Sequence, residues 1–233
     1  MQGRDSVVPM SFVEASPAVR TRLSRATLRR AMLTAVVLAV LALAAVPLHE
    51  ELYTAIARTI GASPLAELAG VVAEKGPLVL VATFAVLAVR SWLRDRGALR
   101  IMVAGGAGAV VAYLTSELVK LVITEPRPCR AFDVTTVLEC PEVGDWSWPS
   151  NHSVIAASLA TACVLAVPRI IWFVAPVAVL LGFSRVAVGV HYVHDVLSGF
   201  ALGVLVVTGI TVALLPLVDR LYLRLPDRFE RTD

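Results

Sequence analysis

Six apolar runs, at residues 31–48, 77–89, 101–123, 153–167, 170–183 and 196–218, constrain this chain more than any other feature. A span of a bilayer needs about 20 apolar residues, with a range of roughly 17–25. Runs of that order, repeated along 233 residues, leave few soluble solutions. Composition agrees: 58% of residues are hydrophobic and 17% charged, with a mean hydropathy of +0.78. A chain of this size has too little buried volume to hide so much apolar surface from water. Intrinsic disorder, a soluble nucleic-acid-binding domain and a secreted disulfide scaffold are excluded together. The expected fold is all-α, a polytopic membrane helix bundle of about six transmembrane helices. The second run extends back through residues 65–73, across Lys75 and Pro77, and reads as an interfacial stretch leading into a kinked span.

Charge then orients the bundle, because basic residues accumulate in cytoplasmic segments. With both termini cytoplasmic, fifteen of the twenty-one basic residues, all arginines, fall in inner segments and six in outer ones. The pI of 9.0 is therefore a topology signal, and no nucleic-acid partner is expected. The expected organisation is an Arg-rich cytoplasmic head at 1–30, a six-span unit at 31–218 with an outer loop at 124–152, and a cytoplasmic tail at 219–233. The first run reads as an uncleaved anchor, since a long head precedes it. Cys129 and Cys140 share the outer loop, on the oxidising side, where they either pair or stay as two thiols. Trp146 and Trp148 suit the aromatic belt at the membrane surface.

Ionisable residues at span ends are costly and mark function by default. Lys120 and Arg127 lie at the outer end of the third run, His152 opens the fourth, Arg185 closes the fifth, and His191 and Asp195 open the sixth. All of them fall at the outer surface. Three cations converging with helix N-termini make an anion site, and arginine suits the oxygens of a phosphate. Pro149-Ser150-Asn151-His152 reads as a helix start capped by Ser150. His191 and Asp195 are four apart and would share a helix face. Asp195 can then hold one nitrogen of His191 and leave the other free to attack. His152 is placed to protonate a leaving oxygen. His194 lies off the His191–Asp195 stripe and reads as a supporting or surface residue, and His49 as interfacial. The set His191, His194 and Asp195 is thin for a metal.

These residues resemble the three signature motifs of the type 2 phosphatidic acid phosphatase (PAP2) superfamily. Lys120, six residues and Arg127-Pro128 match the first; Pro149-Ser150-Asn151-His152 matches the second, with Asn151 in place of a glycine; Ser184-Arg185, five residues, His191, three residues and Asp195 match the third. The resemblance implies that Lys120, Arg127 and Arg185 hold the phosphate, helped by Ser150 and the backbone of Asn151. It makes His191 the nucleophile, Asp195 its partner and His152 the general acid, with a phosphohistidine intermediate and no metal or other cofactor. The implied partner is a membrane lipid whose tail stays in the bilayer. A polyprenyl diphosphate is the leading substrate, ahead of phosphatidic acid, phosphatidylglycerol phosphate and a polyprenyl-linked sugar phosphate. A lipid phosphotransferase and a non-catalytic lipid-binding or transport protein are the other readings. Asn151 tolerates a left-handed backbone better than most residues, and its side chain is expected to affect the pocket.

Overall fold

The computed structural model describes residues 23–222, so most of the Arg-rich head and the end of the tail lie outside the described residues. Helix α1 (Arg25–Ala45) starts at Ser24, whose Oγ accepts the Thr27 N–H at 3.0 Å. Pro47 interrupts it with one 3-10 turn, and α2 (His49–Gly61) continues the chain. Glu50 and Glu51 in its first turn and Arg58 in its last complement the helix dipole. Then come α3 (Leu65–Arg94) and α4 (Arg96–Val122), joined through Asp95 alone. The Asp95 carboxylate accepts the Ala98 N–H at 2.9 Å and starts α4. A short α5 (Pro128–Ala131) lies in the long loop. The chain ends with α6 (Asn151–Ala166), α7 (Ile171–Ala187) and α8 (Val193–Tyr222).

Every apolar run becomes helix. Among the described residues, five helical stretches are long and apolar enough to cross a membrane, and α6, at 16 residues, is the shorter sixth. The chain is a polytopic helical membrane protein. The stretch before Pro77 and the span after it form one 30-residue helix that runs through Lys75 and Pro77. An interior proline costs about 3 kcal/mol. An irregular stretch with bare backbone groups in lipid costs several kcal/mol for each group, so the helix persists.

Helices α4, α6 and α8 form the centre. Helix α1 packs on α8, while α7 and α3 flank α6. Lipid supplies no hydrophobic drive between helices, so small residues that let backbones approach do the work. Gly199 and Gly203, one turn apart on α8, face the start of α6. A Cβ on Gly199 would lie 2.7 Å from the Ser150 carbonyl oxygen, and one on Gly203 would lie 2.8 Å from that of Val154. At the far end of the bundle, Arg100 of α4 meets Asp219 of α8 at 3.0 Å. The outward rows of α1, α3 and α4, including Leu33, Leu43, Leu78, Val86 and Leu121, are exposed as lipid-facing surface should be.

The segment between α4 and α6 folds over one end. A disulfide joins Cys129 to Cys140, with Cα atoms 5.9 Å apart. Beyond it, the Val137 N–H donates to the Val188 carbonyl at 3.1 Å and the Ser147 N–H to that of Glu125 at 2.9 Å. These bonds fasten the loop to the α7–α8 connection and to the end of α4. Gly189 turns that connection with φ +90°. Its carbonyl accepts from the buried Tyr53 hydroxyl at 3.1 Å, and a Cβ there would strike Thr136 at 2.7 Å.

Candidate active site

Six of the residues singled out above meet at that end of the bundle. Lys120 comes from the last turn of α4, Arg127 from the loop, His152 from the first turn of α6, and Arg185 from the last turn of α7. Asp195 comes from the first turn of α8, and His191 from the turn just ahead of it. The three cations are 6%, 5% and 7% exposed, respectively. Their shared counter-ion is Asp145 on the loop, whose Oδ1 lies 2.9 Å from Arg127 Nη2 and 3.4 Å from Lys120 Nζ. Asp145 pairs directly with only two of the three buried cations, while Glu117 and Glu74 act on Lys120 and Arg185 from farther away, an arrangement that favours entry of a further anion. Arg185 Nε and Ser150 Oγ are buried without a hydrogen-bond partner. Orphaned polar atoms of that kind need an explanation, and a ligand supplies one.

Geometry fixes the tautomer of His191. Arg127 Nη1 lies 2.9 Å from His191 Nε2. A guanidinium can only donate, so Nε2 carries the lone pair and the ring proton sits on Nδ1. That proton is donated to Asp195 Oδ2 at 3.1 Å. The same oxygen accepts the Ser147 hydroxyl at 2.5 Å and the Tyr192 N–H at 2.8 Å. Burial, and then the charges of Arg127, Arg185 and Lys120, hold the His191 imidazole well below its ordinary pKa of 6.5. His191 is therefore neutral, with a nucleophilic nitrogen pointing at the cations. The unfolded chain takes up this proton first, so the contribution of His191 to stability is full above pH 6.5 and falls as the pH drops below it. In ¹⁵N spectra of ring-labelled protein without added anion, Nε2 of His191 should stay unprotonated at pH 6. Titration near 6.5 would contradict this arrangement.

His191 and Asp195 do not share a helix face as expected. Helix α8 begins at Val193, so His191 lies outside it. Asp195 is the third helical residue and reaches back to the Tyr192 N–H, half of a capping box. The turn ahead of the helix, not the helical period, aims His191. Ser150 is also corrected: it precedes α6, but its hydroxyl makes no capping bond. Its N–H donates instead to the Asp195 carbonyl at 3.1 Å, tying α6 to α8. The Asn151 side chain turns to α4: Oδ1 accepts from the Ser116 hydroxyl at 2.6 Å, and Nδ2 donates to Glu117 Oε1 at 2.5 Å. His152 is partly buried, within electrostatic reach of Arg185, Arg127 and Lys120.

His194 is buried behind Asp195. Its Nε2 lies 3.0 Å from Glu125 Oε1 and 3.3 Å from Asp195 Oδ1. Glu125, His194 and Asp195 are also a trio that could hold a metal ion, with donor atoms within 4.8 Å of one another. His49, read above as interfacial, stands edge-on to Tyr192 with ring centroids 5.4 Å apart. Trp148 donates from Nε1 to Ser198 Oγ at 2.9 Å.

Sequence reading passed over Asp145, Ser147, Glu125 and Glu117. Asp145 and Ser147 stand five and three residues before Ser150, and Glu125 lies inside the first motif. Proximity to the motifs was the only signal they offered.

The profile of the PAP2 superfamily matches residues 99–217. The chain is similar to an undecaprenyl-diphosphatase of Sulfolobus acidocaldarius, 38% identical over 95 residues, covering 40% of this chain and 46% of that protein. It is also similar to undecaprenyl-diphosphatase BcrC of Bacillus subtilis, 36% identical over 104 residues, covering 45% and 51%. The matched stretch thus spans about half the length of these relatives. The fold is similar to the crystal structure of a transmembrane PAP2 type phosphatidylglycerolphosphate phosphatase from Bacillus subtilis. The TM-score is 0.51 and the identity 23%, with 88% of this chain and 99% of that one covered. Because the profile spans half of the sequence, including all three motifs and the helices that bring them together, the chain belongs to the PAP2 superfamily.

Proposed function

We propose that the protein is a membrane phosphatase that hydrolyses a lipid phosphate or diphosphate at the outer leaflet of the plasma membrane, with a polyprenyl diphosphate as substrate. The observation that carries this reading is a neutral His191, its lone pair on Nε2, beside three buried cations. Lys120, Arg127 and Arg185 would bind the phosphoryl oxygens, with the Ser150 hydroxyl and the Asn151 backbone alongside. Nε2 of His191 attacks phosphorus; the N–P bond forms as the bond to the leaving oxygen breaks, and His152 gives that oxygen a proton. Water then attacks the phosphohistidine, giving its proton to His152 while the N–P electrons return to Nε2. The products are the lipid alcohol, or lipid monophosphate, and inorganic phosphate. Asp195 keeps Nδ1 protonated and steadies the positive charge that develops on the ring. The names of the two undecaprenyl-diphosphatase relatives favour the polyprenyl substrate.

Purified protein assayed against a panel of lipid phosphates tests the reading. Release should be fastest from a polyprenyl diphosphate and should survive chelators. No release from any member, or activity lost to a chelator and restored by a divalent ion, would overturn it. The proposed topology keeps both termini cytoplasmic, with 1–30 as head, 31–218 as the six-span unit and 219–233 as tail. After reduction, a thiol reagent that cannot cross membranes should label Cys129 and Cys140 in intact cells. Labelling only in broken cells would reverse the orientation.

A further inference from the structure

Arg127 has four of the five N–H donors of its guanidinium engaged. Nη1 serves the Val190 carbonyl and His191 Nε2, Nε donates to the Asp145 carbonyl oxygen, and Nη2 donates to Asp145 Oδ1, each at 2.9 Å. A phosphate oxygen that bridges Arg127 Nη2 and Lys120 Nζ takes the place of Asp145 Oδ1. The Asp145 carboxylate is the partner that can leave. Its side chain is 49% exposed, whereas the two cations it bridges are buried. It enters from solvent and can withdraw to solvent without displacing a packed group.

The surrounding chain favours that motion. Residues 142–145 form an exposed turn closed by the Asp145 N–H to the Glu142 carbonyl at 3.1 Å. Gly144 turns it with φ +97° in open space. The loop is fastened on both sides, by the Cys129–Cys140 disulfide with the Arg130–Pro141 contact before the turn, and by the Ser147–Glu125 bond after it. Between these anchors the exposed side chain of Asp145 is the part left to swing out. The main-chain carbonyl of Asp145 holds Arg127 Nε independently of the side chain, so the guanidinium stays aimed when the carboxylate departs. Burial pushes the Asp145 carboxyl upward, but the Arg127 hydrogen bond and the charges of Arg127 and Lys120 outweigh it and hold the group below its ordinary range. The competing group is an anion at neutral pH.

We infer that Asp145 is a built-in competitor for the phosphoryl group: its carboxylate occupies one oxygen position on Arg127 and Lys120 and must be displaced before a tetrahedral oxyanion seats. The inference rests on the phosphatase reading above. Its consequence is selectivity by charge. A dianionic phosphate or a diphosphate displaces the carboxylate more readily than a monoanion does, and returning Asp145 helps expel inorganic phosphate.

Isothermal calorimetry of inorganic phosphate with the purified full-length chain reads this without turnover. Asp145→Asn should bind phosphate about tenfold more tightly than wild type, or about 1.4 kcal/mol, and Asp145→Glu should return the affinity toward wild type. With the lipid substrate, Asp145→Asn should lower KM more than it changes kcat and deepen inhibition by phosphate. Binding that is unchanged or weaker in both Asp145→Asn and Asp145→Ala would make Asp145 a fixed strut for Arg127 and overturn the inference. Loss of the folded protein in both variants would overturn it too. Tighter phosphate binding in a protein that hydrolyses no lipid phosphate would leave the inference standing and remove the phosphatase reading instead.

Discussion

His191→Ala is expected to reduce phosphate release from the lipid substrate by about 10,000-fold or more, a loss of ~5.4 kcal/mol in transition-state stabilisation. The reason is covalent: without Nε2 no phosphohistidine forms, and water must attack a substrate held only by cations. His191 is also irreplaceable in position. Its Nδ1 is held by an Asp195 oxygen that simultaneously takes the Ser147 hydroxyl and the Tyr192 N–H. His152→Ala should cost less, about 100- to 10,000-fold, as general acids do. The two variants separate on a phosphate ester with a good leaving group, which needs no proton. His152→Ala should recover much of its rate there, whereas His191→Ala should not. Phosphate release that survives His191→Ala would remove the nucleophile assignment.

Gly199→Ala should destabilise the bundle by about 1–3 kcal/mol, the range of overpacked core substitutions. The added methyl would lie 2.7 Å from the Ser150 carbonyl oxygen and 2.9 Å from Ser153 Cβ. Its neighbours there are the backbone and first turn of α6, which cannot rotate away as a flexible side chain could. Helix α6 must move off α8, and the Ser150–Asp195 main-chain bond spans the same gap. Activity should therefore fall with stability. Gly209, on the same helix, is the control, because a Cβ there meets nothing within 4 Å. Gly209→Ala should be neutral or stabilising by about 0.5–1 kcal/mol. Thermal unfolding in detergent compares the two, and equal midpoints would refute the packing role of Gly199.

The span pattern and the motif residues were legible because each is local. Apolar length reports a helix in lipid whatever surrounds it, and the cations stand out because ionisable groups are rare near spans. The Gly199–Gly203 pair was also written in the chain, as two glycines one turn apart, but its partner, the start of α6, lies some fifty residues upstream. The aim of His191 was less accessible. Spacing of four suggested a shared helix face, yet the capping role of Asp195 starts the helix two residues later. Ser150 shows the same limit: its position before α6 was readable, but not that its hydroxyl would go unpartnered while its N–H crossed to Asp195.

By itself the sequence determined the solvent, the helical class and the chemistry available: three cations, two imidazoles and a carboxylate at span ends. Those depend on side-chain type and on periods of a few residues. Tertiary structure alone decided which nitrogen of His191 is bare, that Glu125 and His194 stand behind Asp195, and that Asp145 fills one place in the cationic cluster. Each of these depends on a hydrogen-bond or ion-pair distance between residues eighteen to sixty-nine positions apart, apart from contacts within the first turn of α8. Such distances follow from how the helices and the disulfide-linked loop pack, and no local pattern encodes them.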